Sequence, residues 1–278
     1  PAFFSATYGL QGRLDLMTEE DTDKSRKEIF ELKSGRAPDY NTWKNHEMQV
    51  VGYNLLLRST FGQQRKGSSA ILYSAASNSP LRNVTSSHFL ENELLSLRND
   101  IVGILLQLAA GNMEILSSIN AVSAASAPPF SANHFKAFQE ALNLASPEAK
   151  RYYQQFLAFA IREYLQAKCG MFSAVNREEE ADGFAALWIQ DEVEKRSKFN
   201  IIPGLRFEEF DAQNSIVRFT FIQPVSHNFR KNDTAVIYPR TADSLQPLKQ
   251  QLIKGRIEEL GKDHLTFSLI NKQLALSY

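Results

Sequence analysis

The chain has 278 residues, enough for one large domain or two smaller ones with an ample core. Its 31 Lys and Arg balance 31 Asp and Glu, so no global basic field advertises nucleic acid, and the single Cys169 excludes a disulfide framework or a multi-cysteine metal site within the chain. The longest apolar stretch, IVGILLQLAA at 101–110, is too short to span a bilayer, and no signal peptide is legible; the expectation is an intracellular, cytoplasmic setting with no membrane partner.

In chain order, TYGLQGRLDLM alternates into a strand, and the polar run 18–26 makes a hairpin-like connection to a second strand, KEIFELKSG. Side chains two apart on a strand share a face. Glu31 and Lys33 therefore point one way, and Phe30 and Leu32 the other, into a core. After the turn-rich GRAPDYNT comes a helix through WKNHEMQVVGYNLLLRSTFG, with Met48, Val51, Leu55 and Leu56 as its apolar face and Gly62 as its stop. SSAILYSAA (68–76) reads as a third strand, and ENELLSLRNDIVGILLQLAAGN as a long helix ending at Gly111. The small, polar, proline-bearing run 117–131 reads as a loop or linker.

Ser146-Pro147-Glu148 is a helix-start signal, and Gly170 the matching C-terminal cap. Between them Tyr153, Phe156, Leu157, Ala160, Ile161, Tyr164 and Leu165 recur at helical spacing, a pattern that normally marks a core-facing stripe. NREEEADGFAALWIQDEVEKRSK reads as one more helical stretch. From about residue 200 the character changes to short alternating segments, LRFEEFD, SIVRFTFI, DTAVIYPR, LIKGRIEEL and HLTFSLI, which suggest a small β-barrel or sandwich. Val217, Phe219, Ala235, Ile237, Ile257, Phe267 and Leu269 are its expected interior.

Chemistry concentrates near the N-terminus. A hard divalent cation takes oxygen ligands from one or two carboxylates plus waters. Asp15 and Glu31 can supply that pair if their strands are neighbours, with the backbone carbonyl of Leu32 as a further ligand. Lys33 then projects beside the metal, where it can orient water or stabilise charge developing on a phosphodiester. Gln49 and Tyr53 share one helix face and can hold Lys33 and touch a DNA backbone. His46, near the same face, is a further candidate for DNA binding or for the metal. The basic residues Arg230, Lys231, Arg240, Lys249, Lys254 and Arg256 can follow a phosphate backbone, although Glu258, Glu259 and Asp263 dilute them.

The ordered set G-x-x-D, then E-L-K-S-G, then Q-x-x-x-Y, here ending on Asp15, spanning Glu31 to Gly35 and joining Gln49 to Tyr53, resembles the signature of the RecB-like PD-(D/E)XK nucleases. YGLQGRLDLM, FELKSG and HEMQVVGYNLLL are most similar to the nuclease domain fused to a superfamily 1 helicase in replication and repair helicase–nucleases. The resemblance implies a restriction-endonuclease-like α/β core, a mixed sheet flanked by helices, followed by a small β-barrel domain. It further implies Mg²⁺- or Mn²⁺-dependent cleavage of single-stranded DNA ends or flaps, with Asp15, Glu31 and Lys33 catalytic and Gln49 and Tyr53 beside them. The corresponding divisions are a nuclease core over 1–116, a helical continuation and connector over 117–199, and a barrel-like domain over 200–278.

The chain departs from that family in three ways. Many relatives carry an iron–sulfur cluster on four cysteines, and one cysteine cannot build it, so no such cluster is expected here. The helical segment that often adds a histidine or glutamate to the metal site is not seen before Pro1. No G-x-x-x-x-G-K-(S/T) loop occurs, so an ATPase core would lie elsewhere in a longer polypeptide, as the expected helicase partner. The competing reading is a non-catalytic DNA-binding or scaffolding module, inactive in this form.

Overall fold

A computed structural model describes residues 2–62, 65–121, 129, 131–170, 183–239 and 247–270. The protein is mixed α/β and divides into two compact units, one made of residues 1–95 with 190–278 and the other of residues 96–189.

The first unit opens with strand β1 (Ala2–Ser5), paired antiparallel to β2 (Leu10–Arg13). Strand β3 (Leu16–Glu19) then pairs antiparallel with β4 (Lys27–Lys33), the polar run between them forming the expected connection. β2 and β3 belong to different sheets, which corrects the single continuous strand read from TYGLQGRLDLM. The chain leaves one sheet and enters the next at Leu14–Asp15, because Leu14 turns fully into the core with Phe3, Ile29, Tyr53, Leu56 and Leu57. β4 continues the four-stranded sheet, pairing parallel with β5 (Ser69–Tyr73), which pairs antiparallel with β6 (Leu81–Asn83).

Helix α1 (Lys44–Phe61) lies across these strands and is buried on two sides. Tyr53, Leu56 and Leu57 pack with the β1–β4 core, and Val50 packs with Ile71, Tyr73 and Val84. It stops at Gly62, whose φ of 88° only glycine adopts without strain. Gly12 serves close approach instead. A Cβ there would lie 2.7 Å from Leu56 Cδ1 and 3.1 Å from Tyr53 Cε1, so the absent side chain sets how near α1 comes to β2. Helix α2 (His88–Ala109) is held to this unit near its start, where Arg58 donates to both Glu91 oxygens at 2.9 and 2.6 Å.

The β4 orientation reverses the expectation. Lys27, Ile29 and Glu31 are the buried residues, whereas Leu32 is 47 % exposed. Helix α1 covers the Glu31 side, so the face read as polar is the one that is packed.

The C-terminal part of this unit is a five-stranded antiparallel sheet. It comprises β7 (Leu205–Asp211), β8 (Ile216–Phe221), β9 (Thr234–Ile237), β10 (Ile253–Leu260) and β11 (His264–Leu269), in the order β7-β8-β11-β10-β9. All seven expected interior residues fall in one cluster, joined by Leu265. Among the described residues no pairing joins β7 to β9, so they form an open sheet in which no closed barrel is found. Leu252, just before β10, bridges to Ala2 of β1, and Lys249 Nζ donates to the Ser59 carbonyl of α1. The helical reading of 176–198 breaks into short helices α6 (Ala186–Ile189) and α7 (Glu192–Ser197), because Asp191 forms a capping box with Glu194 and starts a new helix. Residues 176–182 of that reading, and Arg240, lie outside the described residues.

The second unit contains the rest of α2, then α3 (Glu114–Ala121), α4 (Ala132–Leu144), α5 (Pro147–Cys169) and α6. α3 corrects the loop assignment at 117–121. Ser146 caps α5, accepting from Ala149 N at 3.2 Å, and Gly170 closes it in the left-handed region. The α5 stripe is not a core stripe. Only Ala158 and Leu165 are buried, while Tyr153, Phe156 and Tyr164 are 40, 56 and 50 % exposed. The small Ala158, rather than the aromatics beside it, faces the packed side.

Candidate active site

The break between β2 and β3 frees Asp15 from strand geometry. Its Oδ2 accepts from the Leu32 backbone N at 2.9 Å. β3 pairs with β4 only as far as Phe30, and Asp15 thus takes up the backbone donor just beyond the end of that ladder. The Lys33 carbonyl points to the opposite edge, where Ser74 N donates to it at 2.9 Å. Successive carbonyls alternate along a strand, so the Leu32 carbonyl faces the Asp15 edge.

Glu31 is the unusual group. It is 2 % exposed and sits on the α1 side of the sheet. One oxygen, Oε1, accepts from Lys33 Nζ at 2.7 Å, while the buried Oε2 has no hydrogen-bond partner. Burial raises its pKa above the usual 4.5, and the negative charge of Asp15 raises it further, against the pull of Lys33. A buried carboxylate oxygen without a donor is costly.

Lys33 extends the network. Its Nζ also donates to Gln49 Oε1 at 2.9 Å, and Gln49 Nε2 donates to Tyr53 OH at 2.6 Å. Tyr53 OH in turn donates to the Arg13 carbonyl at 2.8 Å. Burial, with Glu31 and Asp15 nearby, pushes the Tyr53 hydroxyl up to about 12, so it stays a neutral donor at physiological pH. The Gly12 clearance is what lets this ring lie against β2. Asp15, Glu31 and Lys33 are thus joined to Gln49 and Tyr53 of α1 beyond the end of the β3–β4 ladder.

His46 takes a different partner. Its Nδ1 shares a hydrogen bond with Tyr73 OH at 3.1 Å, and Trp43 N donates to the same hydroxyl at 3.2 Å. Burial and then the charge of Lys33 hold His46 below its ordinary 6.5, so it is neutral at pH 7. Tyr73 is fully buried and stands opposite Lys33 in the parallel register of β4 and β5. Sequence reading missed it. Its only signal was its position at the end of an apolar strand.

No family model matches the chain, and no curated protein matches it.

The donor set suits a hard cation. Two carboxylates and one ammonium leave one net negative charge in the cluster, the Glu31 Oε2 is without a donor, and the Leu32 carbonyl lies on the same edge. Among the described residues no group of three or more His, Cys, Asp and Glu side chains stands together, so the remaining coordination would fall to water and substrate. No helix of the described residues is long and apolar enough to cross a membrane.

Proposed function

We propose that this chain is a RecB-like PD-(D/E)XK nuclease that hydrolyses phosphodiester bonds of DNA, on single-stranded ends or flaps, as part of a helicase–nuclease polypeptide. In this reading the mixed sheet with α1 is a restriction-endonuclease-like core. The observation that carries the reading is the half-satisfied Glu31 carboxylate, buried beneath α1 and tied through Lys33 to the Gln49–Tyr53 pair.

Asp15, Glu31 and the Leu32 carbonyl would hold Mg²⁺ or Mn²⁺. Such an ion, when bound, lowers the pKa of its water and neutralises charge on the phosphate. Lys33 Nζ is fixed between Glu31 and Gln49, and its third N–H remains for a water or a phosphate oxygen. From there it orients the attacking water and offsets the negative charge that grows on the phosphoryl oxygens. Gln49 and Tyr53 hold the lysine in place without taking its proton, since Tyr53 is a persistent donor. His46, neutral and joined to Tyr73, offers a hydrogen bond rather than a charge to a passing backbone.

The test is release of label from a 5′-labelled single strand by the full chain with Mn²⁺, compared with chelator. Metal-dependent shortening supports the reading. Retention of the intact strand at every metal tried, with binding preserved, favours the non-catalytic DNA-binding module.

A further inference from the structure

Away from this site, an open cleft of about 620 Å³ lies on the C-terminal sheet. One wall is the segment between β8 and β9, carrying His227, Phe229, Arg230 and Lys231; the other includes Glu258 and Glu259 of β10. The segment is held firmly. Asn232 N donates to the Ile257 carbonyl at 2.7 Å, Ile257 N to the Asp233 carbonyl at 2.9 Å, and Arg230 N to Asp233 Oδ2 at 2.7 Å. Opposite it, β10 carries a bulge between Ile257 and Glu259, the kind of irregularity that re-aims side chains out of a ladder.

The carboxylates of one wall have polar partners, whereas the cations of the other have none among the described residues. Glu258 accepts from Ser268 Oγ at 2.5 Å, and Glu259 stands 3.6 Å from His264 Nε2. The exposed side chains of Arg230 and Lys231 have no ion pair among the described residues. Between them and the core, Phe229 packs on the sheet and faces His227 with ring centroids 6.3 Å apart. His227 Nδ1 is buried in this wall without a partner. Two adjacent unpaired cations beside an aromatic ring and an unsatisfied ring nitrogen are the chemistry of a phosphate-plus-base ligand.

We propose that this cleft binds a nucleotide unit of single-stranded nucleic acid, with phosphate on Arg230 and Lys231 and the base against Phe229. The choice of a strand over a free nucleotide rests on the nuclease reading; the binding chemistry does not. The role proposed for it is grip on the strand.

The test is fluorescence anisotropy of a labelled 20-nucleotide strand with the full chain in chelator, across a salt series, so that no cleavage contributes. The double variant Arg230→Ala/Lys231→Ala should lose roughly tenfold or more in affinity at low salt. Its slope of log affinity against log salt should flatten by about 0.7, as expected when one phosphate of a single strand is no longer neutralised. Phe229→Leu, which keeps an apolar side chain in the core, should lose roughly fivefold or more with the slope unchanged. Arg230→Lys/Lys231→Arg should keep the wild-type slope, which separates lost charge from lost folding. Wild-type affinity and slope in the double variant would overturn the proposal, as would no strand binding by the wild type. So would a free mononucleotide that competes as well as the strand does. A chain that binds in this charge-dependent way but never cleaves would leave this site standing and remove the nuclease reading.

Discussion

Two of the three sheets of the first unit, the one that ends the chain and the one that holds β4, obey the hydrophobic pattern differently. In β10 and β11 of the antiparallel sheet, alternation and burial agree: Ile257, Phe267 and Leu269 turn inward, and every expected interior residue of the sheet joins one cluster. In β4 they disagree. Leu32 is exposed, while Glu31 and Lys27 are buried under the unit's packing. A strand whose charges lie on its covered face forgoes burial of apolar area and leaves a carboxylate oxygen unsatisfied, a local conflict of the kind that marks function rather than stability. On the proposed reading, β10 and β11 are framework, whereas β4 holds the candidate site at the expense of packing.

These two sheets therefore respond oppositely to substitution. The largest effect is expected at Phe267, which is fully buried in the antiparallel sheet. Phe267→Ala should cost about 3–5 kcal/mol in denaturant unfolding. A loss below about 1 kcal/mol would show that this sheet is not the framework described.

Lys33→Ala should lower single-strand cleavage on the order of 10²–10³-fold while leaving strand affinity in chelator nearly unchanged. Lys33→Arg should not restore the rate, because a planar guanidinium cannot occupy the ammonium's position between Glu31 and Gln49. Loss of Lys33 also leaves Glu31 with no cationic partner, so the acid limb of the activity profile should move to higher pH. A wild-type rate for Lys33→Ala would remove this lysine from the mechanism.

Gly12→Ala tests the closeness of α1 to β2. The added methyl meets Leu56 and the Tyr53 ring, so about 1–3 kcal/mol of stability should be lost. The rate should fall as well, since the Tyr53 and Gln49 contacts that hold Lys33 depend on that approach.

Glu31→Gln is expected to have the smallest effect on stability, and of opposite sign. The folded-state pKa of Glu31 is raised, so the folded chain holds its proton more tightly than the unfolded chain. Stability therefore falls as pH rises from about 4.5 through that raised value. A neutral amide removes this slope and should stabilise the metal-free protein by about 1 kcal/mol at pH 7, while abolishing cleavage. Thermal unfolding across pH 4–8 checks both parts.

Legibility in the sequence follows the same division. The late strands were readable because one face is buried and the other is not, so period-two alternation survives. Helix α1 and the Ser146 and Gly170 ends of α5 were readable from local capping and stop chemistry. The break at Leu14–Asp15 was not, because an apolar Leu14 continues the alternation even as it turns into a different core layer. The facing of β4 was misread for a related reason: pattern alone assigns Leu inward and Glu outward, and only the tertiary cover of α1 reverses it. The exposed aromatics of α5 broke the rule from the other side, since periodicity identifies a shared helix face but not whether anything packs on it. In the candidate site, the spacing of Asp15, Glu31, Lys33, Gln49 and Tyr53 was legible. Tyr73 reaches the site only through the parallel register of β4 and β5, which no local pattern encodes.

The central claim is that the buried Glu31 carboxylate and Asp15 exist to hold a divalent cation. It is tested most directly by the loss of free Mn²⁺ electron paramagnetic resonance signal on titration with the full chain at pH 7. The wild type should bind Mn²⁺, Mg²⁺ should compete, and binding should weaken as pH falls toward the raised pKa of Glu31. Glu31→Gln and Asp15→Asn should each remove that binding while retaining the fold. Equal Mn²⁺ binding by the wild type and both variants, or none by any of them, would contradict the account.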